Sequence, residues 1–186
     1  RDTDRSRGLG DVYKRQVLVM CIICTDPNCD HGERCGRVKI YKEGGSASDL
    51  LDSRGEWEHV IPGAVIRGSV FLHSHGVTYR DSMTYALDYA IHRDAVDGSG
   101  GGITSTGRSE IAQGWVNDLI RLFDSGQSDE AIGKVFCDEV YAIEAHRKFT
   151  ENDFSSLVAI LRSYIDKGIV SQSKADEIAS WMHGRI

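Results

Sequence analysis

The chain has 186 residues, 22 Lys and Arg against 28 Asp and Glu, a formal net charge of −6 and 40 % hydrophobic residues. That length suits one domain with a single core, and no apolar run approaches the ~20 residues that a membrane span needs. The acidic balance counts against a protein that grips nucleic acid by bulk charge, because phosphate neutralisation calls for a basic surface.

Arg1 to Gln16 shows no apolar periodicity, and Asp11-Val12-Tyr13-Lys14-Arg15-Gln16 reads as the translated end of a sequencing adapter, to be set aside from fold reasoning. Without its five basic and three acidic side chains the rest of the chain carries 17 basic and 25 acidic ones, a net charge of −8. The expected division is a zinc-binding segment over residues 17–44 and a single domain over residues 45–186. A cytoplasmic location is expected.

Val17 to Cys24 is an apolar run of strand length. Four of the five cysteines, Cys21, Cys24, Cys29 and Cys35, fall within 15 residues, with His31 between the last two. Thiolates so closely spaced on a turn-rich segment can converge on one tetrahedral, structural Zn²⁺ that would order a loop too short for a core of its own. Two disulfides are the competing reading if the protein is secreted. Cys137, alone in a helical pattern, reads as a small buried apolar residue.

The remainder predicts an α+β fold, a small β-sheet region followed by a helix-rich C-terminal half. Arg37 to Tyr41 alternates as a half-buried strand does, and Lys42 to Ser48 reads as a loop. Trp57 to Ile61 and Ser69 to Leu72 read as strands separated by the Pro62-Gly63 breaker. From Ser82 the period turns helical, with Met83, Leu87, Ala90 and Ile91 on one face. Asp97 to Gly107 is a glycine-rich loop, rich enough in hydroxyls and amides to hold a phosphate but without the ending of a P-loop. Helices are predicted from Ser109 to Phe123, from Ser128 to Lys148, and from a Thr150–Asp153 capping box to about Asp166. A last one is predicted from a Ser173 cap. The Lys167-Gly168-Ile169 turn between the final two suits a DNA-reading helix-turn-helix or, preferably, an ordinary packed pair.

The chemistry concentrates in Glu56-Trp57-Glu58-His59-Val60-Ile61-Pro62-Gly63. A carboxylate and an imidazole stand side by side at a strand mouth, offering a hard oxygen for Mg²⁺ and a base that titrates near neutrality. This stretch resembles the Glu-Trp-Glu-His-Val-Val-Pro-Ala segment of bacterial endonuclease I. More loosely it resembles the Glu/Asp-His-hydrophobic-hydrophobic-Pro signature of the ββα-metal (His-Me finger, HNH) nucleases. The resemblance covers about eight residues. It implies a metal-dependent nuclease acting on DNA or RNA with catalytic Mg²⁺, His59 as general base and Glu58 as metal ligand. It also implies an asparagine ligand from a packed helix, for which Asn117 is the best match. No histidine precedes Asn117, and an aspartate follows it where the family has leucine. Arg54 or Arg80 would stabilise the developing phosphorane charge.

A rival site lies in Phe71-Leu-His73-Ser-His75, where two imidazoles share one side of an expected strand. It resembles the His-x-His of JAMM-type metallopeptidases. That resemblance implies a zinc held by His73, His75 and Asp81 or Asp88, with Glu56 or Glu58 as base; Gly76 stands where that family has proline. A third reading is a non-enzymatic zinc-containing adaptor.

Overall fold

A computed structural model describes residues 37–93 and 110–186. The architecture is mixed: a small antiparallel sheet against a helical layer, with 62 % of the described residues helical. Among those residues no helix is long and apolar enough to cross a membrane. The cysteine segment and the glycine-rich loop lie outside them.

Strand β1 (Val38–Ile40) and strand β2 (Gly55–Glu58) both pair antiparallel with β3 (Met83–Asp88), giving the order β1-β3-β2. β1 thus belongs to the same sheet as β2, although the expected boundary at residue 44 set it in the zinc-binding segment. The register places Glu58 opposite Tyr85 and Glu56 opposite Leu87. Side chains two apart on a strand share a face, so Glu56, Glu58, Tyr85 and Leu87 all project to one side.

Two expected elements exchange type. The Ser82–Ile91 segment forms β3 and then the short helix α3 (Tyr89–His92). Thr84 through Leu87 are all buried, so the strand lacks polar alternation, and its apolar positions fit a helical period equally well. The expected Ser69–Leu72 strand is a helix. Pro62, its φ fixed at −55°, leads into α1 (Gly63–Gly68), and Ser69 caps α2 (Val70–Ser74) by accepting a hydrogen bond from the Leu72 amide. Asp124 accepts from the Ser69 hydroxyl at 2.6 Å and from the Phe71 amide at 3.0 Å. Satisfying these end donors favours the helix over the strand preference of Val70 and Phe71.

The C-terminal half follows expectation: α4 (Glu110–Asp124), α5 (Ser128–His146), α6 (Glu151–Asp166) and α7 (Gln172–His183). The Thr150–Asp153 capping box is present. The last helix is capped by Ser171 rather than Ser173, because Asp129 holds the Ser171 amide and hydroxyl at 2.7 and 2.6 Å. Gly168 turns α6 into α7 at φ +69°, with Ile169 and Val170 buried behind it, as in a packed helix pair. Cys137 is half-buried rather than a core residue.

One polar network fastens the helices to the sheet. Asp153, 2 % exposed, accepts two hydrogen bonds from Arg147 at 2.6 and 2.9 Å, and Arg147 also reaches Asp88 at the end of β3 at 2.9 Å. Asp153→Ala removes the side-chain half of the capping box, the bond from the Thr150 amide, and leaves Arg147 half-paired. It should lower the unfolding free energy by about 3 kcal/mol in urea titrations; a loss under about 1 kcal/mol would match a solvent-screened pair instead.

Candidate functional site

A cleft of about 470 Å³ opens beside β2, lined among others by Tyr41, Glu56, Glu58, His59, Arg67 and Tyr79. His92 and Arg93, at the end of α3, line it as well.

His59 is fixed from both directions in sequence. β2 delivers it, and the fully buried Val60 and Ile61 pin the chain just after it; α6 adds Tyr164, hydrogen-bonded to the Ile61 backbone. Its ring stacks on Tyr79 with centroids 4.3 Å apart, and Tyr41 packs at 4.6 Å. Nε2 lies 3.0 Å from the Tyr79 carbonyl oxygen. A carbonyl only accepts, so Nε2 carries the proton and Nδ1 keeps its lone pair. Burial holds the His59 pKa below 6.5, against the opposing pull of the Tyr79 carbonyl and Glu58. The Tyr79 phenol is pushed up to about 12 by burial and by its hydrogen bond with Tyr41. Gly63 permits the stack, since a Cβ there would meet the Tyr79 ring at 2.6 Å.

The carboxylates are arranged differently from the expectation. Glu58 is 2 % exposed, and its Oε2 lies 2.7 Å from His92 Nε2; Glu56 Oε2 lies 2.7 Å from His92 Nδ1. Glu58 Oε2 and His92 Nδ1 fall outside well-aligned hydrogen-bond geometry, yet the 2.7 Å approach of Glu58 to Nε2 still acts on the imidazole as a hydrogen bond as well as a charge, with Glu56 adding charge on the other edge. Burial opposes the imidazolium, but Glu58 and Glu56 outweigh it and raise the His92 pKa. Arg93 grips Glu56 through Nε at 2.8 Å and Nη2 at 3.0 Å, which depresses the Glu56 pKa despite partial burial.

Mg²⁺ seeks several oxygen ligands, and the donor set does not fit it. Glu56 and Glu58 close on opposite edges of His92, whose ring occupies the space between them. Asn117 sits on the exposed face of α4 and does not line the cleft. Among the described residues no group of three or more His, Cys, Asp or Glu is arranged to hold a metal. The expected Glu58–Asn117 pair is therefore not formed.

Arg54 is also misplaced as a catalytic group: its guanidinium covers the Tyr89 ring at 3.8 Å, outside the cleft lining. Arg67 lines the cleft instead, 5.2 Å from the Tyr79 ring centroid, and has no ion pair among the described residues. His73 is exposed on α2, and His75 caps that helix with Nδ1 2.9 Å from the Phe71 carbonyl. Two residues apart on a helix point away from each other, so the shared side expected for a peptidase zinc is lost. Asp81 pairs with Lys42, and Asp88 with Ser53 and Arg147. Cys21, Cys24, Cys29, Cys35 and His31 lie outside the described residues.

His92, Arg67, Arg93, Tyr41 and Tyr79 escaped the sequence reading because no motif marks them. The alternation Glu56-x-Glu58 was the available signal, since two carboxylates on one strand face demand a cation nearby. No protein-family model, curated protein or solved structure matches the chain.

Below the cleft Glu139 of α5 is fully buried and bonded by the Tyr85 hydroxyl. Burial, then the charge of Glu58, push its pKa well above 4.5. A carboxyl whose pKa is higher folded than unfolded loses stability as pH rises from 4.5 towards the folded value. Glu139→Gln does not titrate, so it should gain on wild type across that window in denaturant titrations at stepped pH; a flat difference would mean that Glu139 ionisation costs nothing. Gly63→Ala should displace Tyr79 and move the His59 pKa up towards 6.5, read by NMR titration of the imidazole.

Proposed function

We propose that the cleft cleaves phosphodiester bonds of nucleic acid, with His59 as general base. The observation that carries this reading is the state of His59. It is a neutral imidazole on the cleft wall, its tautomer set by the Tyr79 carbonyl, with Nδ1 left to accept a proton. A base must be unprotonated at working pH and held in place, and both conditions are met.

Arg67 supports a phosphate rather than a neutral substrate. It is a guanidinium at the cleft without an ion pair among the described residues, suited to clamping two phosphate oxygens and stabilising charge that develops on them. The Glu-Trp-Glu-His-Val-Ile-Pro resemblance points the same way. A net charge of −6 is compatible with a nuclease whose positive charge is local.

Purified full-length chain incubated with plasmid DNA and with total RNA, with and without Mg²⁺, tests the reading. Cutting should fall by about 10²- to 10⁴-fold in His59→Ala. No cutting of either nucleic acid under any metal, or an undiminished His59→Ala that retains the wild-type circular dichroism, would sink it. The groups facing His59 are Glu58, His92, Arg67, Tyr41 and Tyr79. Activity should rise with pH through the His59 pKa, so its acid limb lies below 6.5. An acid limb above that value would assign the proton acceptor elsewhere.

A further inference from the structure

Resting on the nuclease reading, we infer that His92 takes the place of a divalent cation between Glu56 and Glu58, that the cleft works without bound metal, and that its substrate class is RNA. The geometry is specific. The two carboxylates approach opposite edges of one imidazole at 2.7 Å each. The two ring nitrogens direct their bonds away from each other, so one ion cannot be bound by both together with both carboxylates. Arg93 occupies Glu56 from a further side with two hydrogen bonds. A hard cation entering here would have to expel His92, whose side chain is only 13 % exposed, and leave a buried ring without its charge partners.

Substrate class follows from what remains. Attack by water on a phosphodiester is slow without a metal to acidify the water and neutralise the phosphate. An internal hydroxyl held beside the phosphorus is far more effective, because proximity replaces a bimolecular encounter. RNA carries that hydroxyl on every ribose; DNA does not. In the cleft His59 Nδ1 takes the proton of the 2′-hydroxyl. The O2′–P bond forms and the P–O5′ bond breaks. The leaving 5′-oxygen takes a proton from water in the open cleft, and the hydroxide so formed removes the proton held on His59. The products are a 2′,3′-cyclic phosphate and a 5′-hydroxyl, with the enzyme restored. Arg67 carries the phosphate charge, while His92 and Arg93 keep the two carboxylates from repelling it.

The test compares RNA, DNA of the same sequence, and RNA with one 2′-deoxy substitution at the cut site, all with full-length protein. Divalent ions are removed from the buffer on chelating resin. RNA cleavage should match within about twofold with and without Mg²⁺, where a metal-dependent centre would lose roughly a thousandfold. The ends should be cyclic phosphate and 5′-hydroxyl, DNA should stay intact, and the substituted RNA should be uncut at the deoxy position. RNA cut only with Mg²⁺, or DNA cut as well, overturns the inference and leaves the nuclease reading standing. Neither nucleic acid cut under any condition overturns both. A second readout needs no activity: the electron paramagnetic resonance signal of free Mn²⁺ should be unchanged by wild-type protein. One equivalent bound by wild type and released in Glu58→Gln would overturn the inference.

Discussion

Two carboxylates side by side on the covered face of a three-stranded sheet must be neutralised, and the molecule is organised around meeting that demand. Glu56 and Glu58 stand on β2, and β3 runs antiparallel beside it, placing Tyr85 and Leu87 next to them. The chain leaving β3 turns at once into α3, which brings His92 between the carboxylates and Arg93 onto Glu56. Glu139, immersed below, is the acid that burial pushes towards its neutral form. If all these groups were charged together, the interior would carry repulsion that no packing could offset. Arranged as they are, one imidazolium serves two carboxylates.

The aromatic side of the cleft answers a different requirement, that of holding an uncharged imidazole in one orientation. Tyr79 meets His59 twice, through its ring and through its own carbonyl, and Tyr41 closes the remaining flank. The two histidines of the cleft are thus driven in opposite directions, His59 down by burial and His92 up by its carboxylate neighbours. Environments that separate two like groups in this way commonly mark a working site.

How much of this was legible depended on whether a residue's role is local. The long C-terminal helices were readable because their caps and apolar stripes are short-range signals: Thr150 and Asp153 three apart, Ile132, Val135, Phe136 and Ile143 on one face. Ser69–Leu72 and Ser82–Ile91 were misread because tertiary partners decide them. Asp124 supplies the acceptors that start α2 from 53 and 55 positions away, and β3 is a strand because β1 and β2 flank it. At the site, His59 and Glu58 stood out by their neighbours in sequence. His92 and Arg67 did not, since the spacing that makes them partners exists only after folding. Arg54 and Asn117 matched expectations of type and fail on position.

The Asp88–Arg147–Asp153 network has a consequence for how the halves of the molecule depend on each other. Asp88 is both the last residue of β3 and the residue immediately before α3, so it sits one helical turn from His92. Arg147 anchors it to the start of α6, although no residue of α4 to α7 lines the cleft. The helical layer therefore acts as a brace for the cleft at a distance. Grafting residues 38–93 onto another scaffold would carry over every lining side chain among the described residues and still leave the support of His92 unfastened at its base.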